Sequence, residues 1–256
     1  TNEPQIEGDF KVTIENIAEA KSYSASGAFN TPVGATAPAP IFPGEAYEVS
    51  FSAAPGSKLS FATMFVQSND LFYAPDGEGI DLYDSMGDQI VGDITSQIML
   101  WDAGSEVNQE PGLGSDQAPR QAGANTGAVD SDNTVRLATD DFSNLPAVSD
   151  VVKVTLSSTG DTGFTLRVEN VSSSATLMTS DGNSHAVPLA PGVYVIHSGS
   201  DVLFDAGMMD YGYGLANIAE DGDPSGLATM LATDTGVTQL YAPGVYVVHE
   251  SANPLF

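Results

Sequence analysis

The sequence Leu-Ser-Phe-Ala-Thr-Met-Phe-Val-Gln-Ser-Asn-Asp (residues 59–70) joins an apolar run, typical of a buried strand, to a polar turn that ends in a carboxylate. A second apolar run at residues 98–101 breaks into Asp-Ala-Gly-Ser-Glu at residues 102–106. If the two strands are neighbours, Asp70, Asp102 and Glu106 meet at one end of a β-sheet. Because Ca²⁺ prefers hard oxygen ligands, this arrangement predicts a calcium site on loops at the end of a β-sandwich.

The same two segments resemble the spondin N-terminal domain family. The resemblance is carried by Ser-Phe-Ala-Thr-Met-Phe-Val-Gln-Ser-Asn-Asp-Leu-Phe (60–72), Leu-Trp-Asp-Ala-Gly-Ser-Glu (100–106) and Glu-Pro-Gly (110–112), and it covers residues 8–172. It implies a C2-like antiparallel β-sandwich in a secreted, matrix-associated protein that binds one Ca²⁺. The ligands carried over are Asp70, Asp102 and Glu106. The chain departs from the animal members, which usually have Asp at the Glu106 position and cysteines near these motifs.

The composition excludes some classes of protein. Seven Lys and Arg against 34 Asp and Glu give a formal net charge of −27, which argues against nucleic-acid binding. The chain has no cysteine and therefore no disulfide framework. It has no apolar run long enough to span a bilayer. Because it begins with Thr1, we expect a mature secreted protein whose signal peptide has been removed.

The pattern of apolar residues predicts an all-β fold. Residues 21–46 and 103–134 are rich in small and turn-forming residues and are predicted to be loop or extended edge. We call residues 103–134 the long loop, and we expect a cation and Arg120 to order it. Helical patterns occur at 214–219 and 224–231, within the second half of the chain. Strands are predicted at residues 10–17, 46–51, 59–66, 79–83, 89–91, 98–101, 134–137, 151–156 and 164–171.

An internal repeat suggests how the chain is divided. Ala-Pro-Gly-Val-Tyr-Val-Ile-His at residues 190–197 returns as Ala-Pro-Gly-Val-Tyr-Val-Val-His at 242–249. We therefore predict a calcium-binding sandwich over residues 1–160 and a smaller β-rich module with a short helical insertion over 161–256. The strands nearest the two ends, 10–17 and 245–249, could each add to the sheet of another chain. That possibility makes a subunit of an extracellular filament an alternative function.

Other polar groups offer weaker sites. His197 and His249 occupy matching repeat positions, and with the methionines at 208 and 209 they make a copper-binding protein a second alternative. One acidic group could hold a further calcium: Asp76, Glu78, Asp81 and Asp84. Another is expected to be a solvated surface: Asp205, Asp210, Glu220, Asp221 and Asp223.

The chain has no Cys nucleophile, no Gly-x-Ser-x-Gly elbow, no His-Glu-x-x-His and no phosphate-binding loop, so an enzyme is not predicted. The leading prediction is a secreted calcium-binding β-sandwich that acts in extracellular or cell-surface binding and adhesion. Its partner would be an extracellular protein, a polysaccharide or a second copy of the chain.

Overall fold

In the computed structural model, the described residues are 11–15, 21–123, 125–138 and 142–236. They form two antiparallel sheets, one hairpin and two short helices, so the predicted all-β sandwich with a small helical insertion is confirmed. The strands are β1 (Tyr23–Phe29), β2 (Ala46–Ser52), β3 (Lys58–Phe65), β4 (Leu71–Ala74), β5 (Ile80–Asp81), β6 (Gly92–Asp93), β7 (Met99–Asp102), β8 (Arg136–Leu137), β9 (Val152–Ser158), β10 (Gly163–Asn170), β11 (Leu177–Met178), β12 (Ser184–His185) and β13 (Leu189–His197). The helices are α1 (Leu215–Asp221) and α2 (Ser225–Thr233), with 3₁₀ turns at Thr95–Gln97 and Val148–Asp150.

The larger sheet has the strand order β1-β13-β3-β4-β7-β8, with β5 paired to the far end of β3. The smaller sheet has the order β2-β10-β9-β6, and β11 pairs with β12 alone. The smaller sheet covers one face of the larger sheet. Helices α1 and α2 pack on the other face, so the larger sheet is the middle of three layers.

Burial on both faces explains why apolar residues occur on both faces of β3 and do not alternate with exposed polar ones. Leu59 and Phe61 belong to the core shared with the smaller sheet, whereas Ala62 belongs to the core beneath the helices. In β13, Ile196 and Val195 divide between the two cores in the same way. A strand that is covered on both sides needs apolar residues at successive positions, which gives a continuous apolar run in the sequence.

The sheets combine residues from both halves of the chain. β9 and β10, on either side of the predicted boundary at residues 160 and 161, pair along their whole length in the smaller sheet. β13 lies between β1 and β3 in the larger sheet. Within the described residues, the predicted domains 1–160 and 161–256 therefore share both sheets and both cores.

Parts of the repeat lie outside the described residues. Residues 242–249, with His249, are among them, and the predicted strand 10–17 is described only over 11–15. Those five residues are exposed and belong to no strand. The described chain does not pair residues 11–15 within its own sheets, so strand addition to another chain stays a prediction.

Candidate metal centre

The ends of β4 and β7 bring the predicted carboxylates together. Asp70 directly precedes β4 and Asp102 ends β7, and Leu71 is the register partner of Asp102. The backbone N–H of Ala103 donates to the Asp70 carbonyl at 3.0 Å. Asp70 and Asp102 are both fully buried, and we call them the buried carboxylate pair. Glu106, also buried, lies four residues after Asp102 in the long loop.

Hydrogen bonds from the described residues reach only one of the two carboxylate oxygens of Asp70. Its Oδ2 accepts hydrogen bonds from the backbone N–H of Ser105 at 2.8 Å, from the Ser105 hydroxyl at 3.1 Å and from the backbone N–H of Glu106 at 3.0 Å. Its Oδ1 has no hydrogen-bond partner among the described residues, although it is buried. Burial, and then the charge of Asp102, raise the pKa of Asp70 to about 7 against these hydrogen bonds.

Asp102 is better compensated. Its Oδ1 accepts the backbone N–H of Gly104, and its Oδ2 accepts the Asn108 amide at 2.8 Å. Arg136, the register partner of Asp102 in β8, places a guanidinium nitrogen 2.9 Å from the same Oδ2. That nitrogen also lies 2.9 Å from Asp130 Oδ2. Arg136 therefore brings positive charge directly to the buried carboxylate pair.

Glu106 ties the long loop to the turn before β4. Its Oε2 accepts the side-chain amide of Asn69 at 3.2 Å, and its Oε1 accepts the backbone N–H of Gly127 at 2.9 Å. The side-chain oxygen of Asn69 accepts the backbone N–H of Gln109 at 3.0 Å and the side-chain amide of Gln117 at 3.2 Å. The turn thus anchors three separate points of the long loop.

Arg120 also holds the long loop in place, as predicted from the sequence. Its guanidinium donates to the side-chain oxygens of Gln67 and Gln117, each at 2.7 Å, and to the Gly114 carbonyl at 2.8 Å. Gln67 has a φ of 136°, which is rare for a residue with a side chain. The polar turn and the long loop therefore form one hydrogen-bonded unit at this end of the sheet.

The buried carboxylate pair fits a hard cation. The two carboxylates are buried and their charges interact, and Asp70 Oδ1 has no hydrogen-bond partner among the described residues. Both Glu106 oxygens already accept hydrogen bonds, so Glu106 would bind a cation only as an additional role. Across the described part of the chain, no three His, Cys, Asp or Glu side chains are grouped so as to hold a metal ion. Two other oxygen-bearing side chains of the long loop, Asn108 and Glu110, bond to Asp102 and to Ser180 respectively.

The acidic group that could hold a second calcium is engaged in local contacts. Lys58 lies 4.0 Å from Glu78 and 3.3 Å from Asp81. Asp76 and Asp84 accept backbone N–H groups of their own turns. These bonds account for the cluster without a metal.

For Glu220, the expectation of a solvated surface is wrong. This α1 residue is buried, and its Oε2 has no hydrogen-bond partner among the described residues. Burial raises its pKa to about 7, and a hydrogen bond with Ser105 opposes that rise. The helix periodicity places Leu215, Ile218 and Ala219 in the core and carries Glu220 to the edge of the carboxylate site.

His197 is also committed to contacts inside the fold. Its Nδ1 donates to the Gly199 carbonyl at 2.9 Å, because a carbonyl oxygen can only accept. Its Nε2 then accepts the Ser60 hydroxyl at 2.9 Å, and burial lowers the pKa of the ring. A copper ion at His197 would have to displace one of these partners, and His249 lies outside the described residues.

Fold and site together define an all-β sandwich with a buried carboxylate pair beneath a long loop. No protein-family model, curated protein or solved structure matches the chain. The resemblance to the spondin N-terminal domain family therefore stays a prediction. Among the described residues, no helix combines the length and the apolar character needed to cross a membrane.

The raised pKa of Asp70 predicts how the stability of the metal-free protein changes with pH. Its pKa rises from 3.8 to about 7 in the fold, so between these pH values the folded state keeps a proton that the unfolded chain has lost. The stability of the wild type relative to Asp70→Asn is therefore expected to fall as the pH rises from about 4 to about 7, and then to level off. Asparagine keeps an oxygen for the Ser105 and Glu106 donors and is neutral throughout.

The measurement is urea unfolding of both proteins at closely spaced pH values in chelator. Asp161→Asn, at an exposed loop position, is the matched control and should run parallel to the wild type. Parallel curves for Asp70→Asn and wild type would show that Asp70 titrates normally.

Proposed function

We propose that this chain is a secreted calcium-binding β-sandwich whose cation binds at Asp70, Asp102 and Glu106. The observation that carries the proposal is the buried carboxylate pair with its open Asp70 oxygen. The resemblance to the spondin N-terminal domain family supports the choice of Ca²⁺ and the extracellular setting.

Electrostatics supports a bound cation at this point. Removing two carboxylates from water is costly unless nearby positive charge compensates them. Arg136 contacts Asp102 but is shared with Asp130, and the formal net charge of the chain is −27. A divalent cation between the carboxylates would lower this repulsion and would return the pKa of Asp70 toward that of an ordinary carboxylate.

The proposed role of the cation is to stiffen the long loop. Ser105 and Glu106 donate to Asp70, and Glu106 in turn holds Gly127. A cation held by Asp70 would therefore fix the loop at its start and near its end. The stiffened face would bind an extracellular protein or a polysaccharide in adhesion, or a second copy of the chain.

The experiment is a thermal melt with excess Ca²⁺ and with chelator. A cation that binds only the folded state adds roughly 2.7 kcal/mol at 100 times its dissociation constant. For a chain of this size, that gain corresponds to a rise of roughly 5–10 °C in Tm. Asp102→Asn is expected to abolish the rise, and Asp161→Asn is expected to keep it. Light scattering on the same samples reports assembly.

An equal Tm with calcium and chelator in the wild type would remove the calcium proposal. A rise that persists in both Asp70→Asn and Asp102→Asn would place the cation elsewhere. If scattering increases with Ca²⁺, self-association becomes the favoured form of the binding function.

A further inference from the structure

A second site lies away from the carboxylate pair, where β1, α2 and residues 199–213 meet. An open groove of about 440 Å³ is lined there by three tyrosines, and we call it the tyrosine groove. Its volume is in the range of small-molecule sites. The side chains that the argument uses are Tyr23, Tyr211, Tyr213, Asp201, Asp234 and His197.

The local sequence displays two of these rings. In Tyr-Gly-Tyr-Gly (211–214), both Gly212 and Gly214 have positive φ values, of 75° and 111°. Only glycine takes such angles readily, so the chain can turn twice within four residues. The Tyr211 and Tyr213 rings lie with centroids 6.2 Å apart and planes at 56°, and both rings are substantially exposed. The Tyr211 hydroxyl donates to the Asp201 carbonyl at 3.0 Å, which fixes the ring at the wall of the groove.

Carboxylates act on two of the three rings, Tyr23 and Tyr211. Burial and then Asp234 raise the pKa of Tyr23, and burial, Asp205 and Asp201 raise the pKa of Tyr211. Hydrogen bonds with Ser22 hold the pKa of Asp234 below its usual value, so Asp234 is a carboxylate at neutral pH.

The described lining contains little positive charge to oppose this. His197, which also lines the groove, is neutral at neutral pH because burial lowers the pKa of its ring. Lys21 lies close to Asp234 and donates to the Thr233 carbonyl at 3.1 Å.

We propose that the tyrosine groove binds a small alkylammonium cation, of the trimethylammonium class found in choline. Aromatic faces attract such cations through the ring quadrupole, and a quaternary ammonium has no N–H that needs a hydrogen-bond partner. Asp201 and Asp234 supply the opposite charge. The overall negative field of the chain raises the local concentration of cations. This site is independent of the proposed calcium site.

The test is calorimetric titration with choline and with 3,3-dimethylbutan-1-ol, its neutral isostere in which carbon replaces the ammonium nitrogen. The two probes match in shape, so a difference between them reports charge. We expect choline to bind about tenfold more tightly than the alcohol. The titration is repeated with calcium and with chelator, and the affinity for choline is expected to be the same in both.

Variants locate the site. Tyr213→Leu and Asp234→Asn are each expected to weaken choline binding about tenfold. Phe42→Leu replaces an exposed ring that does not line the tyrosine groove, and it is expected to leave the affinity unchanged. Circular dichroism confirms that each variant is folded. Equal affinity for choline and the alcohol, no detectable binding of choline, or equal loss of binding in Phe42→Leu and Tyr213→Leu would each overturn the proposal. Binding of a neutral hexose in place of choline would overturn it in favour of a sugar site.

Discussion

Replacing Gly192 by alanine is expected to lower the stability of the fold by about 3 kcal/mol or more, the upper range for overpacking a core. Gly192 lies in β13, between Phe29 of β1 and Thr63 of β3. A methyl group there would collide with the backbone carbonyl of Ala62 and would come 2.6 Å from Phe29 Cζ. The carbonyl belongs to a strand that is paired on both sides, so it has little freedom to move.

The measurement is the Tm of Gly192→Ala beside that of Gly199→Ala. An added methyl group at Gly199 meets no atom within 4 Å, and Gly199 does not have a positive φ. We expect Gly192→Ala to lose roughly 6–12 °C or to fail to fold, and Gly199→Ala to change little. Equal stability of the two variants would mean that β13 is not closely packed between β1 and β3.

The same region shows what the sequence could and could not predict. Residues 59–66 were predictable as a buried strand because six of the eight are apolar and only Ser60 and Thr63 interrupt them. The position of β13 was not, because pairing between Val195 and Ser60 joins residues that are distant in the chain. Nothing in a local pattern specifies such a neighbour. The helices at residues 214–231 were predicted, but their packing on the larger sheet depends on the same long-range arrangement.

The same holds for the site: local patterns predicted some of its residues, and long-range pairing determined the others. Asp70 and Asp102 were predictable because each follows an apolar run. The two runs are β3 and β7, which are not neighbours: β4 lies between them and pairs antiparallel with both, so the ends of β3 and β7 and the start of β4 lie at one edge of the sheet. Arg136 and Glu220 were missed because they reach the site through pairing of β7 with β8 and through packing of α1. Asn69 was overlooked although it precedes Asp70, since its four side-chain hydrogen bonds all go to residues of the long loop and depend on the path of that loop.

Replacing Arg136 by methionine is expected to destabilise the chelated protein by about 3 kcal/mol, the lower range for breaking a buried ion pair. Methionine keeps much of the side-chain length but leaves Asp102 buried beside Asp70 without its guanidinium partner. The lower range applies because the Arg136 side chain is 23% exposed. The additional loss of the bond to Asp130 contributes less, since that carboxylate is less buried. Chemical unfolding in chelator measures the effect.

Arg167→Met is the matched control. Arg167 also contacts two carboxylates, Glu48 at 2.8 Å and Glu169 at 3.2 Å, but all three side chains are about one-third exposed or more. Exposed ion pairs contribute little, so its loss is expected to cost under about 1 kcal/mol. A similar cost for Arg136→Met would show that Asp102 is not an uncompensated buried charge.

A double-mutant cycle separates charge from packing at Arg136. If the cost of Arg136→Met comes from the stranded carboxylate, then adding Asp102→Asn should recover much of the stability, because the amide carries no charge. Calcium should recover stability in Arg136→Met and not in the double variant, because the cation would then provide the missing positive charge at Asp102. Recovery by Asp102→Asn without recovery by calcium would mean that the carboxylate pair is buried but holds no cation. Recovery by both would join the ion pair and the proposed calcium site in one electrostatic unit, in which Arg136 and the cation compensate the same two carboxylates.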